Sequence, residues 1–194
     1  FVPHAWYASR SGDPHDWNYG GDDTDPGRSV AGANARCGEI GLPIHGLLAS
    51  ADDYLLFGCR SSLWVLAGDP VGGGYIRNVS RVLGLLDTLS WCTGTGGEVY
   101  LMDSSGLYLL NVSGGGITPL SEGSLPQDLR DLDSLNNEIA LAFDPLEKGV
   151  HILIRPRTGG SGSHWWYDLV GSGFWPFVLA DADYNPSSTM LQSV

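Results

Sequence analysis

The sequence predicts an all-β chain built of four-stranded antiparallel units, and three observations carry that prediction. Short apolar runs alternate with breaks rich in Gly, Asp and Ser along most of the 194 residues, with 28 Gly and 11 Pro available for turns. Helix formers are scarce: only 16% of residues are charged, and 17 of the 22 acidic residues are Asp, which favours turns and caps over helix interiors. The runs also recur in groups of four, starting at residues 44, 87 and 137, which are 43 and 50 residues apart. Repeats of roughly 40 to 50 residues holding four short strands each are the pattern of β-propeller blades. The predicted fold is therefore a β-propeller or partial propeller, with a β-sandwich as the alternative for the same density of strands and turns.

Taken in order, Phe1 to about Gly20 holds one or two strands of an incomplete unit. Because the numbering opens on Phe1 within a strand-like stretch, the chain is expected to be a piece of a longer polypeptide. In the segment Ser9 to Gly20, SRSGDPHDWNYG, Asp13-Pro14 sets a turn, and Trp17 and Tyr19 share one face of an extended strand. That pattern predicts a blade-edge turn with a buried Trp17, the alternative being a Trp17 that stacks on a ligand. The first full unit, about 44–83, reads IHGLLAS, DYLLFG, SSLWVLAG and YIRNVSRVLG. The second, about 87–120, reads DTLSWCTG, EVYLMD, GLYLLNVS and ITPLS. A short connector helix is predicted near 125–132, where Leu125, Leu129 and Leu132 fall at helical spacing and Pro126 suits a first turn. The third unit, about 137–180, reads NEIALAFD, GVHILIRP, SHWWYDL and GFWPFVLA, and STMLQSV would open a following one.

Residues 1–194 are thus expected to form one propeller-like domain with partial units at both ends. Trp17, Trp64, Trp91, Trp166 and Trp175 are the expected inter-blade packing anchors, with Gly58, Gly106 and Gly149 allowing tight turns. In the third unit, strand alternation puts Trp165 and Tyr167 on one face and Trp166 on the other.

Charge and motif spacing exclude several classes of function. Nine Arg and the single Lys148 face 22 acidic residues, giving a net charge of −12 that repels phosphate backbones, so specific nucleic-acid binding is not expected. No apolar run approaches the roughly 18 residues that cross a bilayer, so no membrane association is expected. Cys37, Cys59 and Cys92 are odd in number and lack a C-x-x-C pair, which points away from a disulfide scaffold or structural zinc. The histidines at 4, 15, 45, 151 and 164 form no H-x-x-x-H, and Gly72–Gly74 and Gly114–Gly116 precede no phosphate-binding helix. No cofactor is therefore expected.

The candidates for the paired carboxylates of glycoside hydrolysis are Asp22, Asp23 and Asp25 of GDDTDPG, Asp52-Asp53, and Asp181 and Asp183. Each lies beside Gly, Pro or Ala in an apparent turn, where solvated Asp is usual, and no enzyme activity is expected. Asp22, Asp23 and Asp25 also offer oxygen ligands to Ca²⁺ on one loop, although no Glu closes that loop at a twelfth position. The dense aromatics from Trp165 to Phe177 suit packing or a subunit contact, with sugar stacking as the alternative.

Several segments together carry a family likeness: SRSGDPHDWNYG, DYLLFGCRSSLWVLAGDP, GGEVYLMDSSGLYLL, ALAFDPLEKGVHILI and HWWYDLVGSGFWPF. They resemble bacteriophage virion β-propeller proteins, of the tail-nozzle and tail-accessory type that extends the connector of short-tailed phages. The likeness spans most of residues 9–178, and its motifs are structural rather than catalytic. It implies strand alternating with turn from Phe57 to Leu66, a hairpin at Asp103 to Gly106, and aromatic closure of a blade from Trp165 to Trp175. It further implies a structural component of the virion, in the tail or tail hub, forming a symmetric homo-oligomeric ring. Its partners would be other tail or connector proteins, with contact to passing DNA. The sequence departs from that pattern in holding fewer units than a closed ring. The alternative function is a carbohydrate-binding propeller used for surface or host attachment.

Overall fold

The computed structural model describes residues 4–20, 24–32, 38–50, 53–113 and 116–177. Their regular elements are β-strands, with one short helix. Two compact units, Phe1–Gly84 and Leu85–Val194, are distinguished by their internal packing. One of the expected four-run groups falls in the first unit and two fall in the second.

In the first unit, β1 (Tyr7–Ala8) and β2 (Val30–Ala31) pair antiparallel as a short ribbon. Next come β3 (Ile44–Ser50), β4 (Tyr54–Cys59), β5 (Leu63–Ala67) and β6 (Tyr75–Ser80), a four-stranded antiparallel sheet laid down in chain order. Its core gathers Trp6, Val30, Ile40, Phe57, Cys59 and Leu66. Phe57 and Ile40 are completely buried.

The second unit holds two more sheets of the same kind. The first is β7 (Trp91–Thr93), β8 (Val99–Asp103), β9 (Gly106–Asn111) and β10 (Gly116–Pro119). The second is β11 (Asn137–Asp144), β12 (Gly149–Pro156), β13 (Ser163–Asp168) and β14 (Gly173–Pro176). Between them lies α1 (Gln127–Arg130), a single turn with Leu129 buried, within the span predicted for a connector helix. No helix among the described residues is long and apolar enough to cross a membrane.

Strand alternation explains the core of this unit. Val150, Ile152 and Ile154 project from one face of β12, and they join Ile139, Leu141 and Tyr167 of the same sheet. Against them pack Tyr100, Met102 and Leu107 of the preceding sheet and Leu125 and Leu129 of the connector. Tyr100 and Phe143 stack across the two sheets at 5.4 Å and nearly parallel, and the Tyr167 hydroxyl donates to the Leu120 carbonyl at 2.7 Å.

The leading strands of the two sheets run side by side. Leu89 forms a parallel bridge with Ala140, and Leu141 N donates to Leu89 O at 2.9 Å. Asp87 secures this seam: Oδ2 accepts from Ile139 N at 3.0 Å and from the Arg157 guanidinium at 2.9 Å. Asp87→Ala leaves the Ile139 amide and Arg157 without that acceptor and is expected to cost about 1.5–3 kcal/mol, measured by urea denaturation. Asp87→Asn, which keeps a carbonyl oxygen for Ile139, should recover part of the loss.

The turn glycines divide by role. Gly106 follows the Asp103 to Gly106 hairpin at φ +141°, a conformation that favours glycine, and the Ser121 hydroxyl stands where a Cβ would project. Gly58 lies within β4 rather than at a turn, whereas Gly149 opens β12 directly after the 145–148 turn, without a positive φ of its own. At Gly149 the reason for glycine is a close approach, because the Trp166 indole covers the site where a Cβ would stand.

Candidate functional site

Two surfaces, one in each unit, gather aromatic and titratable side chains. The first is the loop from Arg10 to Gly20. Arg10 ties it together through ion pairs to Asp25 at 2.6 Å and Asp16 at 3.8 Å, and its backbone N donates to Asp16 O at 2.9 Å. Short polar side chains then turn the backbone: Asp13 Oδ1 accepts from His15 N, Asp16 Oδ1 from Asn18 N, and Asn18 Oδ1 from Gly20 N.

These turns replace the extended strand expected for Trp17 and Tyr19, and Tyr19 N donates to Trp17 O at 3.0 Å. Trp17 is consequently 50% exposed, which corrects the expectation of a buried anchor. Its ring sits edge-on to Tyr19 at 6.4 Å, and Tyr19 in turn meets Tyr7 of β1 at 5.2 Å with a tilt of 39°. Trp6 takes the core position instead. It is buried against Phe57, its indole N–H donates to Gly38 O at 3.2 Å, and its ring fills the space beside Gly32.

The acidic candidates do not form a shared centre among the described residues. Asp25 is engaged by Arg10 and by Gly27 N, while Asp22 and Asp23 lie outside the described residues, as do Asp52, Asp181, Asp183 and Cys37. No group of three or more His, Cys, Asp or Glu suited to a metal ion occurs among the described residues. Cys59 and Cys92 are free thiols, and burial pushes the Cys92 thiol up to about 12.

The second surface is the face of the β11–β14 sheet opposite the core. Register aligns Ala142, His151, Trp166 and Trp175 in one cross-strand row, and Ala140, Leu153 and His164 in the next. His151 Nδ1 and His164 Nε2 are 2.8 Å apart. Trp166 lies 4.5 Å from the His151 ring, and Phe177 packs 4.6 Å from His164 and 5.4 Å from His151. Asp144 Oδ2 lies 3.8 Å from His151 Nε2. A proton on Nε2 suits that carboxylate, which leaves Nδ1 to accept from His164 Nε2–H.

Burial holds the His151 pKa below its ordinary value, against the pull of Asp144, and burial together with His151 holds His164 down to about 4. Two backbone amides, from Glu147 and Leu146, lower the Asp144 carboxyl.

The remaining tryptophans serve their own sheets. Trp64 is half-buried against the first core and its indole donates to Ser62 Oγ at 3.0 Å; Trp91 is half-buried and donates to Thr88 O at 2.7 Å. Trp166 is half-buried over Gly149, whereas Trp175, at the edge strand, is 61% exposed and is not a core anchor of its unit. Trp165 and Tyr167 turn to the core face, as alternation predicts.

No protein-family model matches this sequence, and no curated protein does. Its chemistry is therefore read from the side chains themselves. An open cleft of about 430 Å³ beside the Asp103 to Gly106 hairpin is lined by Ser104, Ser105, Tyr108, Ser121, Glu122 and Arg130 among others. Its hydroxyls are engaged within the chain: Ser105 Oγ donates to the Asp103 carboxylate at 2.8 Å, and Ser121 Oγ accepts from Leu107 N at 2.9 Å.

Proposed function

We propose that the chain is a structural component of a bacteriophage virion, a propeller protein of the tail or tail hub, nozzle-like, with no catalytic activity of its own. It would assemble into a symmetric ring of identical copies that meets other tail or connector proteins. The observation that carries this reading is the succession of three four-stranded antiparallel sheets, each laid down in chain order. Consecutive blades of a propeller have that form, and the parallel neighbourhood of Leu89 and Ala140 suits the leading strands of adjacent blades around an axis.

Physical demands of the role agree with the composition. Short, hydrogen-bonded meanders resist deformation and limit exposed edges, as a symmetric assembly under load requires. A net charge of −12 would keep passing DNA from adhering to the wall. The resemblance of SRSGDPHDWNYG and HWWYDLVGSGFWPF to phage tail propellers supports the same reading.

Quantitative peptide mass spectrometry across a density gradient of particles tests it. The chain is expected to co-sediment with capsid proteins at a constant copy ratio; recovery only from the soluble fraction would overturn the proposal.

A further inference from the structure

We infer that the Tyr7–Trp17–Tyr19 cluster is a binding site for a neutral oligosaccharide, a role separate from any place in an assembly. Trp17 and Tyr7 are about half exposed, at 50% and 52%, although aromatic rings of this size normally seek the core. They are not loose: Arg10, Asp16 and Asp25 clamp the loop, and three side-chain-to-backbone bonds set its turns. The rings meet at 39° and 75° rather than face to face, and Tyr7 and Trp17 keep about half of their surface open. Rigid, exposed rings offer contact area at little entropic cost to the complex.

The surroundings select the ligand. A pyranose ring presents C–H groups to the electron-rich face of an indole or phenol and hydroxyls to polar neighbours. The same loop carries exposed Asp13, His15 and Asn18, whose carboxylate, imidazole and amide groups suit those hydroxyls. A nucleic acid would also stack on such rings, but its phosphates need cations. Arg10, the cation of this loop, is paired with two carboxylates, and the chain carries a net charge of −12. The same charge disfavours sialylated or uronate-bearing glycans, which leaves the neutral class.

The test uses the full chain and a panel of cello-, manno-, malto- and chitohexaose, read by isothermal titration calorimetry and saturation-transfer NMR. At least one of these is expected to bind, with Trp17→Ala weakening it about tenfold or more and Trp175→Ala, another exposed tryptophan, within about twofold of wild type. Because Trp17 is half exposed, the variant should keep its melting temperature; Tyr7→Ala supplies a second reading if it does not. Binding by none of the four, or binding unchanged in both Trp17→Ala and Tyr7→Ala, would overturn the inference. Self-association that depends on Trp17 in sedimentation velocity, without sugar binding, would assign the cluster to a second copy of the chain and overturn it equally.

Discussion

Phe57→Ala is expected to remove about 3–5 kcal/mol from the stability of the first unit. The phenyl ring of β4 is completely buried, and its neighbours in the core are Trp6, Ile40, Leu66 and Cys59. Collapse into the vacated space is hindered because Trp6, the largest of these, is held at one end by Gly38 O and lies against Gly32. The cavity should therefore persist, and a persistent cavity is what separates the costly large-to-small replacements from the mild ones. Hydrogen–deuterium exchange resolved by peptide should show the loss in β4 and β5. By contrast, Trp17→Ala, which empties no core, should cost less than about 1 kcal/mol. A comparable small loss for Phe57→Ala would mean that Trp6 swings into the gap, and that the indole hydrogen bond does not fix it.

The strand groups were legible because each is a short apolar run closed by Gly, Asp or Ser, a signal local to a few residues. Leu125 and Leu129 marked the connector for the same reason, and both are buried in the second core. The tryptophans were harder, since the burial of an indole depends on what packs against it. Period two in His4-Ala5-Trp6-Tyr7-Ala8 sets Trp6 and Ala8 on the inward face and Tyr7 outward, a signal carried by the sequence itself. At Trp17, Asp16 and Asn18 compete for the backbone and break the strand that alternation assumed.

Gly149 has a second role that glycine at a turn does not announce: its missing side chain admits Trp166 from the next strand. That contact depends on register, as does the meeting of His151 with His164. The two histidines lie thirteen residues apart and come together only once Leu153 is opposite His164. Nothing in their spacing announces it, because the register follows from how many residues the 157–162 turn consumes.

The same histidine pair is expected to make the second unit acid-sensitive as pH falls below the ordinary histidine pKa. In the folded chain His164 is held down to about 4, against 6.5 ordinarily, by burial first and by His151 second. Among the described residues the Asp144 carboxylate, the Trp166 indole and the Phe177 ring face the pair, and Asp144, which favours a proton, lies on the His151 side. A depressed folded pKa means that the unfolded chain takes up protons first. The contribution is therefore complete above pH 6.5 and is lost as pH falls toward 4, amounting to roughly 3 kcal/mol for His164. His151, also depressed, acts in the same direction. Urea midpoints measured between pH 7 and 4 should fall steeply for the native chain and less for His164→Gln, which hydrogen-bonds without titrating. Equal slopes for the two proteins would show that the pair opens to water before it protonates.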